Sequence, residues 1–297
     1  MREATNKPNN FAFIIGAMKS GTTSLFEILS QHPQVCPSRI KEPDFFATDR
    51  DESSLDNYLS LWDWRIDKHT IALESSVAYS KANSITGVPE RIYKSNLGKY
   101  RFIYMIRDPL ARIESQVRHG LFAGWGKPLD AGIPQDAVDI SSYAMQLDKY
   151  LAFFPMDRIM VVTLEEFKHE PDAMLARICQ FLELDKNFRF HDTEERRNSG
   201  NFFNAPASVA YITQSSVGQF VAKKLLPARI KSRLRQFISN LSKGSNSTPN
   251  IGRWRLTQEE RRQVLDMLAD DLNRLEREYG IDIAKYWHIE SSLLKSA

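Results

Sequence analysis

Residues 16–23, GAMKSGTT, gather two glycines, one lysine and three hydroxyls within eight positions, directly after the apolar run FAFIIG (11–16). That combination suits an oxyanion. Gly16 and Gly21 let the backbone curl closely around a ligand, Ser20, Thr22 and Thr23 add hydroxyl donors, and Lys19 adds charge. A helix opening over Gly21 to Thr23 would aim its unpaired N–H groups and the positive end of its dipole at the same point. A nucleotide phosphate is the natural guest. The second constellation is RFIYMIRDPLARIESQVRHG (101–120), where an apolar run ends in Arg107, Asp108 takes an N-cap position and Pro109 the first helical one. Strand C-termini of a parallel sheet share one rim. Arg107 is therefore expected near Lys19, with Ser115 two turns down the helix as a further hydroxyl for the same anion.

The first loop departs from the nucleotide triphosphate pattern. G-x-x-x-x-G is followed by Thr22-Thr23, and the lysine precedes the second glycine by two residues, whereas a P-loop kinase or NTPase needs Gly-Lys-Ser/Thr. An ATP-using enzyme remains as an alternative that predicts Mg²⁺-dependent nucleotide binding.

The surrounding elements must bring these segments together. The 297 residues are 42% hydrophobic and 26% charged, an ordinary globular composition. Short apolar runs at 11–16, 70–75, 101–106 and 158–164 predict strands. Helical periodicity predicts helices near 21–31, 83–95, 109–120, 140–154 and 170–182. That alternation is the pattern of a parallel sheet covered on both faces. The expected fold is α/β: a P-loop-type parallel sheet flanked by helices, with a helical C-terminal subdomain, forming a single domain over 1–297. Within it we expect a flexible N-terminus (1–10), an α/β core (11–195), a basic helical and loop element (196–256) and a C-terminal helix packed on the core (257–287). Thr257 and Glu260 make a capping-box pattern for that helix, Leu265, Leu268, Leu272 and Leu275 form its apolar stripe, and Gly280 ends it.

Charge and composition exclude several classes. Lys and Arg exceed Asp and Glu by three, too little to name a nucleic-acid partner. The excess is local: no acid occurs between Arg196 and Gln258, a run that would suit an anionic ligand or a membrane surface. A non-catalytic nucleotide- or membrane-surface-binding module is thus a third reading. No stretch approaches 18 apolar residues, and MREATNKPNN lacks the apolar core of a secretory signal, which points to a cytoplasmic protein without a transmembrane segment. Cys36 and Cys179 are too few for a disulfide framework and lack the neighbours zinc needs, so both are expected to be packing residues, and no metal site is expected.

GAMKSGTTSLFEIL, KEPDFF (41–46) and FIYMIRDPLARIESQ, in this order and spacing, resemble the PAPS-dependent sulfotransferases, specifically bacterial enzymes related to heparan-sulfate sulfotransferases. The similarity extends through SSYAMQLDKYLAFFPMDRIMVVTLEEFKHEPDAMLARICQFLEL and covers about 11–200, with a looser match in the C-terminal helix. The resemblance implies PAPS (3′-phosphoadenosine 5′-phosphosulfate) as co-substrate and no metal. Gly16, Lys19, Ser20, Gly21, Thr22 and Thr23 would lie at its 5′ end, and Arg107 and Ser115 at its 3′-phosphate. Lys19 would stabilise the leaving group, and Glu42, in the family's E-x-x-F-F frame, would be the general base, with a pKa raised by burial beside Phe45 and Phe46. Glu74, ending the strand at 70–75, and His119 are rival bases.

Departures bear on the acceptor. No late Lys-Gly-Arg loop is found, and Arg196 and Arg197 are expected to complete the nucleotide site. ESSVAY (74–79) carries Ser75 where relatives have lysine, and Asp44 stands where many carry histidine. Asp44, Phe46, Tyr79 and Trp125 are the candidate acceptor contacts, in crevice loops at 46–66, with Trp62 and Trp64, and 121–138, with Phe122. The expected reaction is sulfuryl transfer to a hydroxyl or amine of a small-molecule acceptor such as a natural product, with glycan or lipid O-sulfation as the alternative.

Overall fold

Phe11 to Ile15 have no accessible surface at all. A strand so apolar on both sides can exist only in the middle of a sheet covered by two layers, and that is where the computed structural model, which describes residues 7–123, 132–191 and 254–289, puts it. Among the described residues five strands, β1 (Asn10–Gly16), β2 (Val35–Pro37), β3 (Ile71–Ser75), β4 (Lys99–Ile106) and β5 (Ile159–Thr163), pair in the order β2-β3-β1-β4-β5, every pair parallel. The sheet and its four expected strands agree with the sequence. The three-residue β2 carries too short a pattern to be read from it.

Among the described residues the helices are α1 (Thr22–Leu29), α2 (Leu55–Leu59), α3 (Val88–Ser95), α4 (Pro109–Ala123), α5 (Gln135–Ser141), α6 (Tyr143–Leu151), α7 (Leu164–His169), α8 (Pro171–Phe181), α9 (Gln258–Tyr279) and α10 (Ile283–Trp287). By backbone proximity the chain forms two units, one of Met1–Gln116, Ile133–Arg196 and Leu256–Ala297, the other of Val117–Gly132 and Arg197–Arg255. Everything below belongs to the first unit unless stated. In the second, Arg118 Nη1 donates to the Trp254 carbonyl at 2.9 Å. Most of the acid-free basic element lies outside the described residues.

Side chains alternate across each strand, so the sheet has two chemically different faces. Ala12 and Ile14, Ile71 and Leu73, and Ile103 and Met105 meet Leu25, Ile28 and Leu29 of α1 and Leu175, Ile178 and Leu182 of α8 in an aliphatic core. Cys179 packs there. Burial pushes its thiol and that of Cys36 up to about 11, as inert packing residues should be. The opposite face is aromatic: Phe13 lies 5.7–6.2 Å, ring centre to ring centre, from Phe11, Phe46, Tyr79, Tyr100 and Phe102.

Several boundaries differ from expectation. The helix expected over 140–154 breaks at Ser142 (ψ 77°), giving α5 and α6. The amides freed at the start of α6, those of Ala144 and Met145, are bound by the Asp271 carboxylate of α9 at 3.0 and 2.8 Å, a cap supplied from 127 and 126 residues away. The helix at 83–95 starts only at Val88, where Gly87 (φ 75°) turns the chain. α9 has both halves of the expected capping box and the Gly280 stop, but Val264 rather than Leu265 leads its buried stripe. It docks on α6 through a two-pronged Arg274–Asp148 ion pair, both contacts 2.8 Å. No helix among the described residues is long and apolar enough to cross a membrane.

Because Phe13 sits at the centre of the aromatic face, Phe13→Ala should destabilise by about 3–5 kcal/mol. In urea unfolding this appears as a lower midpoint at unchanged slope.

Candidate active site

The rim at the C-terminal ends of β3, β1 and β4 is where the strand order reverses, the position at which open α/β sheets bind ligands. β1 turns there into the 16–23 loop. Gly16 (φ 142°) lies so close to Ser80 that any Cβ would be driven into the Ser80 hydroxyl. Gly21 (φ 88°) occupies the N-cap position of α1 without any side-chain cap, and a Cβ there would come 2.8 Å from Leu164 Cδ1. The amides opening α1 are thus left for a ligand. Lys19 also has positive φ (70°). Ser20 is fully buried, and its hydroxyl has no hydrogen-bond partner among the described residues. A buried orphan hydroxyl beside an uncapped helix start fits an anionic phosphate group. Thr22 is buried at the first position of α1, whereas Thr23 is exposed.

The second segment arrives as expected. Asp108 caps α4, accepting from the Leu110 amide at 2.9 Å. Burial works against its charge and raises its pKa despite those amides. Arg107 Nη1 donates to the Lys19 carbonyl at 3.2 Å, so the two segments touch directly. Tyr143 at the start of α6 fixes the Arg107 carbonyl from behind at 2.7 Å, and Ser115 is buried along α4. One residue escaped the sequence reading: Arg112, with no exposed surface, donates to the Met18 carbonyl at 3.3 Å, Ser141 Oγ at 2.7 Å and Gln116 Oε1 at 2.8 Å. It braces the 16–23 loop. Its signal was an arginine one turn after Asp108, among the buried positions of α4.

The candidate bases separate. Glu42 is exposed, with 39% of its side chain accessible, and is ion-paired with Lys41. The expected burial between Phe45 and Phe46 is not found, because Phe46 turns into the aromatic layer and Phe45 stacks on Tyr58 at 4.3 Å. Glu74 has no accessible surface. Its carboxylate accepts from the Tyr58 hydroxyl and, at 2.8 Å, from Ser76 Oγ. Burial, opposed by these hydrogen bonds, raises its pKa from 4.5 to about 7. Enclosed in this way, it has no path to a substrate. His119, half-buried on α4, belongs to the second unit.

The acceptor candidates divide likewise. Asp44 is half-buried at positive φ (50°), with Oδ1 buried and without a hydrogen-bond partner among the described residues. Burial and the nearby Glu42 raise its pKa. Phe46 and Tyr79, expected to touch acceptor, are instead buried at 2% exposure each, and the Tyr79 hydroxyl accepts from the Phe46 amide at 3.1 Å. Trp62 and Trp64 are buried as well, Trp62 Nε1 donating to the Leu73 carbonyl at 3.2 Å. Ser75, where a lysine was noted as missing, is a buried hydroxyl also without a partner among the described residues. Trp125, Arg196 and Arg197 lie outside the described residues. Among the described residues no three His, Cys, Asp or Glu side chains converge as metal ligands would.

With this geometry in hand, a family model described as "Sulfotransferase domain" matches residues 10–228. The chain belongs to the sulfotransferase domain family. Heparan sulfate glucosamine 3-O-sulfotransferase 6 of Homo sapiens is 31% identical over 200 residues, 62% of this chain and 56% of that protein. Heparan sulfate glucosamine 3-O-sulfotransferase 5 of Mus musculus is 29% identical over 194 residues, 58% of this chain and 53% of that one. The matched stretch thus spans little more than half of these relatives. A sulfotransferase from Alicyclobacillus acidocaldarius shares the fold, with a TM-score of 0.59 and 20% identity over 94% of this chain and 98% of that one.

Two outcomes test the geometry of this sulfotransferase-family site. Gly16→Ala should abolish nucleotide-induced stabilisation and destabilise the protein by about 1–3 kcal/mol, from a strained backbone and the Ser80 collision; thermal unfolding with and without nucleotide reads both. For Glu74, the folded protein holds a proton between pH 4.5 and about 7 that the unfolded chain has released. Its contribution to stability is therefore complete below pH 4.5 and is lost as pH rises through about 7, by on the order of 3 kcal/mol. Subtracting the pH–stability curve of Glu74→Gln from that of the wild type should expose this slope.

Proposed function

We propose that this chain is a PAPS-dependent sulfotransferase acting on a hydroxyl or amine of an uncharged small-molecule acceptor. One contact carries the reading: the Arg107–Lys19 hydrogen bond, which joins an arginine-bearing strand end to an uncapped, glycine-lined helix start. Two adjoining anion sites at one rim suit a nucleotide with phosphate on both its 5′ and 3′ sides, and the absence of Gly-Lys-Ser/Thr removes the feature that ATP or GTP would use.

When bound, PAPS supplies the sulfuryl group and leaves as PAP. Lys19, the Ser20 hydroxyl and the first amides of α1 hold its 5′ end, and Arg107 with Ser115 hold the 3′-phosphate. Glu42, on the loop between β2 and β3, takes the acceptor's proton as the acceptor heteroatom bonds to sulfur. Lys19 and the helix start meet the negative charge that collects on the departing phosphate oxygen, so positioning and electrostatics carry most of the rate. Lys41, paired with Glu42 at rest, gives up that contact when Glu42 turns to the acceptor.

Asp44 supports an uncharged acceptor. Its buried, unpartnered carboxylate oxygen would welcome a hydroxyl and repel a sulfate or carboxylate. A glycan acceptor is the second reading, favoured by the named substrate of the mammalian relatives.

PAP at 100 times its Kd should stabilise the protein by about 2.7 kcal/mol in a thermal shift, with ATP and GTP giving far less; equal effects would return the site to a triphosphate nucleotide. Lys19→Ala should lower kcat by about 10²–10³ and Glu42→Gln by about 10²–10⁴ at saturating PAPS. Labelled sulfate appearing in small metabolites and not in heparan-type glycan, with the product identified by mass, would decide the acceptor class.

A further inference from the structure

Glu74 takes no part in the transfer chemistry above, yet it is a carboxylate placed in the middle of an aromatic layer. A group so unfavourable to bury needs a reason to be there. Its surroundings supply one. The loop that carries Glu42 and Asp44 holds both residues at positive φ, 60° and 50°, a conformation that residues with side chains rarely adopt. Three amides of this loop are tied down in alternation. The Glu42 N–H donates to the Ser75 carbonyl at 2.9 Å, the Asp44 N–H to Ser76 Oγ at 3.2 Å, and the Phe46 N–H to the Tyr79 hydroxyl at 3.1 Å.

The last two acceptors are hydroxyls, which can rotate and turn a proton toward the amide instead of a lone pair. They hold an amide only while their own protons are engaged elsewhere. Ser76 Oγ donates to Glu74 Oε1 at 2.8 Å, and the buried Tyr79 hydroxyl faces the same carboxylate. Tyr58 occupies Oε2. We propose that Glu74 is a positioning residue: by drawing the protons of Ser76 and Tyr79 toward itself it locks two loop amides in place and so sets where Glu42 meets the acceptor. This rests on the reading of Glu42 as the base.

An ionised carboxylate accepts every one of these hydrogen bonds, whereas a protonated one carries a hydrogen of its own and must release a donor. The lock is therefore tight when Glu74 is charged. The titratable groups that face it among the described residues are Tyr58 from α2, Tyr79 from the turn after β3, Tyr150 from α6 and Asp44 from the loop itself. Of these only Asp44 is a second carboxylate; its pKa too is raised by burial, and its charge opposes that of Glu74.

The test uses the full chain and three variants, Glu74→Gln, Ser76→Ala and Tyr79→Phe. Amide hydrogen exchange of the 42–47 loop is the first readout. In Glu74→Gln, protection at Asp44 and Phe46 should fall by about tenfold or more while β1 amides stay protected. In Ser76→Ala only Asp44 should lose protection, and in Tyr79→Phe only Phe46. The second readout is turnover. Glu74→Gln should lower kcat by on the order of tenfold to a hundredfold with KM for PAPS within about twofold of wild type. The Glu42→Gln, Glu74→Gln double variant should be no slower than Glu42→Gln alone, because Glu74 acts through Glu42. Unchanged loop exchange in all three variants would overturn the proposal. So would additive losses in the double variant, which would give Glu74 a chemical role of its own. Should Glu74→Gln fail to fold, the two relay variants decide the matter one amide at a time. If the wild-type protein transfers no sulfuryl group, the reading of Glu42 fails by that result alone, and the exchange pattern still decides whether Glu74 holds the loop.

Discussion

The constraint from which the rest follows is that β1 has neighbours on both edges and cover on both faces. With β3 on one side and β4 on the other, the chain leaving β1 must turn sharply over the rim, and Gly16 is the residue that permits it against Ser80. The same reversal of strand order brings the ends of β3 and β4 alongside. Arg107 therefore reaches the Lys19 carbonyl, and the segment after Ser75 reaches the loop of Glu42. The 16–23 loop, the Arg107 strand end and the Glu42 loop, 20 to 90 residues apart in sequence, become neighbours because one apolar strand cannot lie at an edge.

The two faces of the sheet divide the work. Beneath the 16–23 loop lies the aliphatic core of α1 and α8. Beneath the Glu42 loop lies the aromatic layer, whose tyrosine hydroxyls give polar handles inside an apolar mass. Only on that side can a carboxylate such as Glu74 be buried with its hydrogen bonds made. The division is set by strand alternation: Phe13 and Glu74 are register partners and share a face, as Ile14 and Ser75 share the other.

What was legible in the sequence was local. The unbroken apolar runs gave the strands, Asp108-Pro109 gave a helix start that the structure reproduces, and Thr257 with Glu260 gave a capping box found in full. Features set by distant partners were not legible. The break at Ser142 depends on Asp271, and the exposure of Glu42 depends on where Phe45 and Phe46 find aromatic neighbours. Phe46 and Tyr79 were expected at the acceptor, but the same apolar area that suits a ligand suits a core, and here the core takes them. Arg112 shows the converse, a charge hidden by its helix register.

The cap that Asp271 places on α6 also gives the fold a schedule. At ordinary rates of protein synthesis, the 127 residues between Ala144 and Asp271 represent roughly 6–25 s of elongation. During that interval the nascent chain can form β1, β4 and the phosphate loop, while the first turn of α6 still lacks its partner. That turn begins with Tyr143, which pins the carbonyl of Arg107. The rim is thus laid down early and made rigid late. A nascent chain of this design has the end of β4 before it has the α9 carboxylate that caps the helix pinning it.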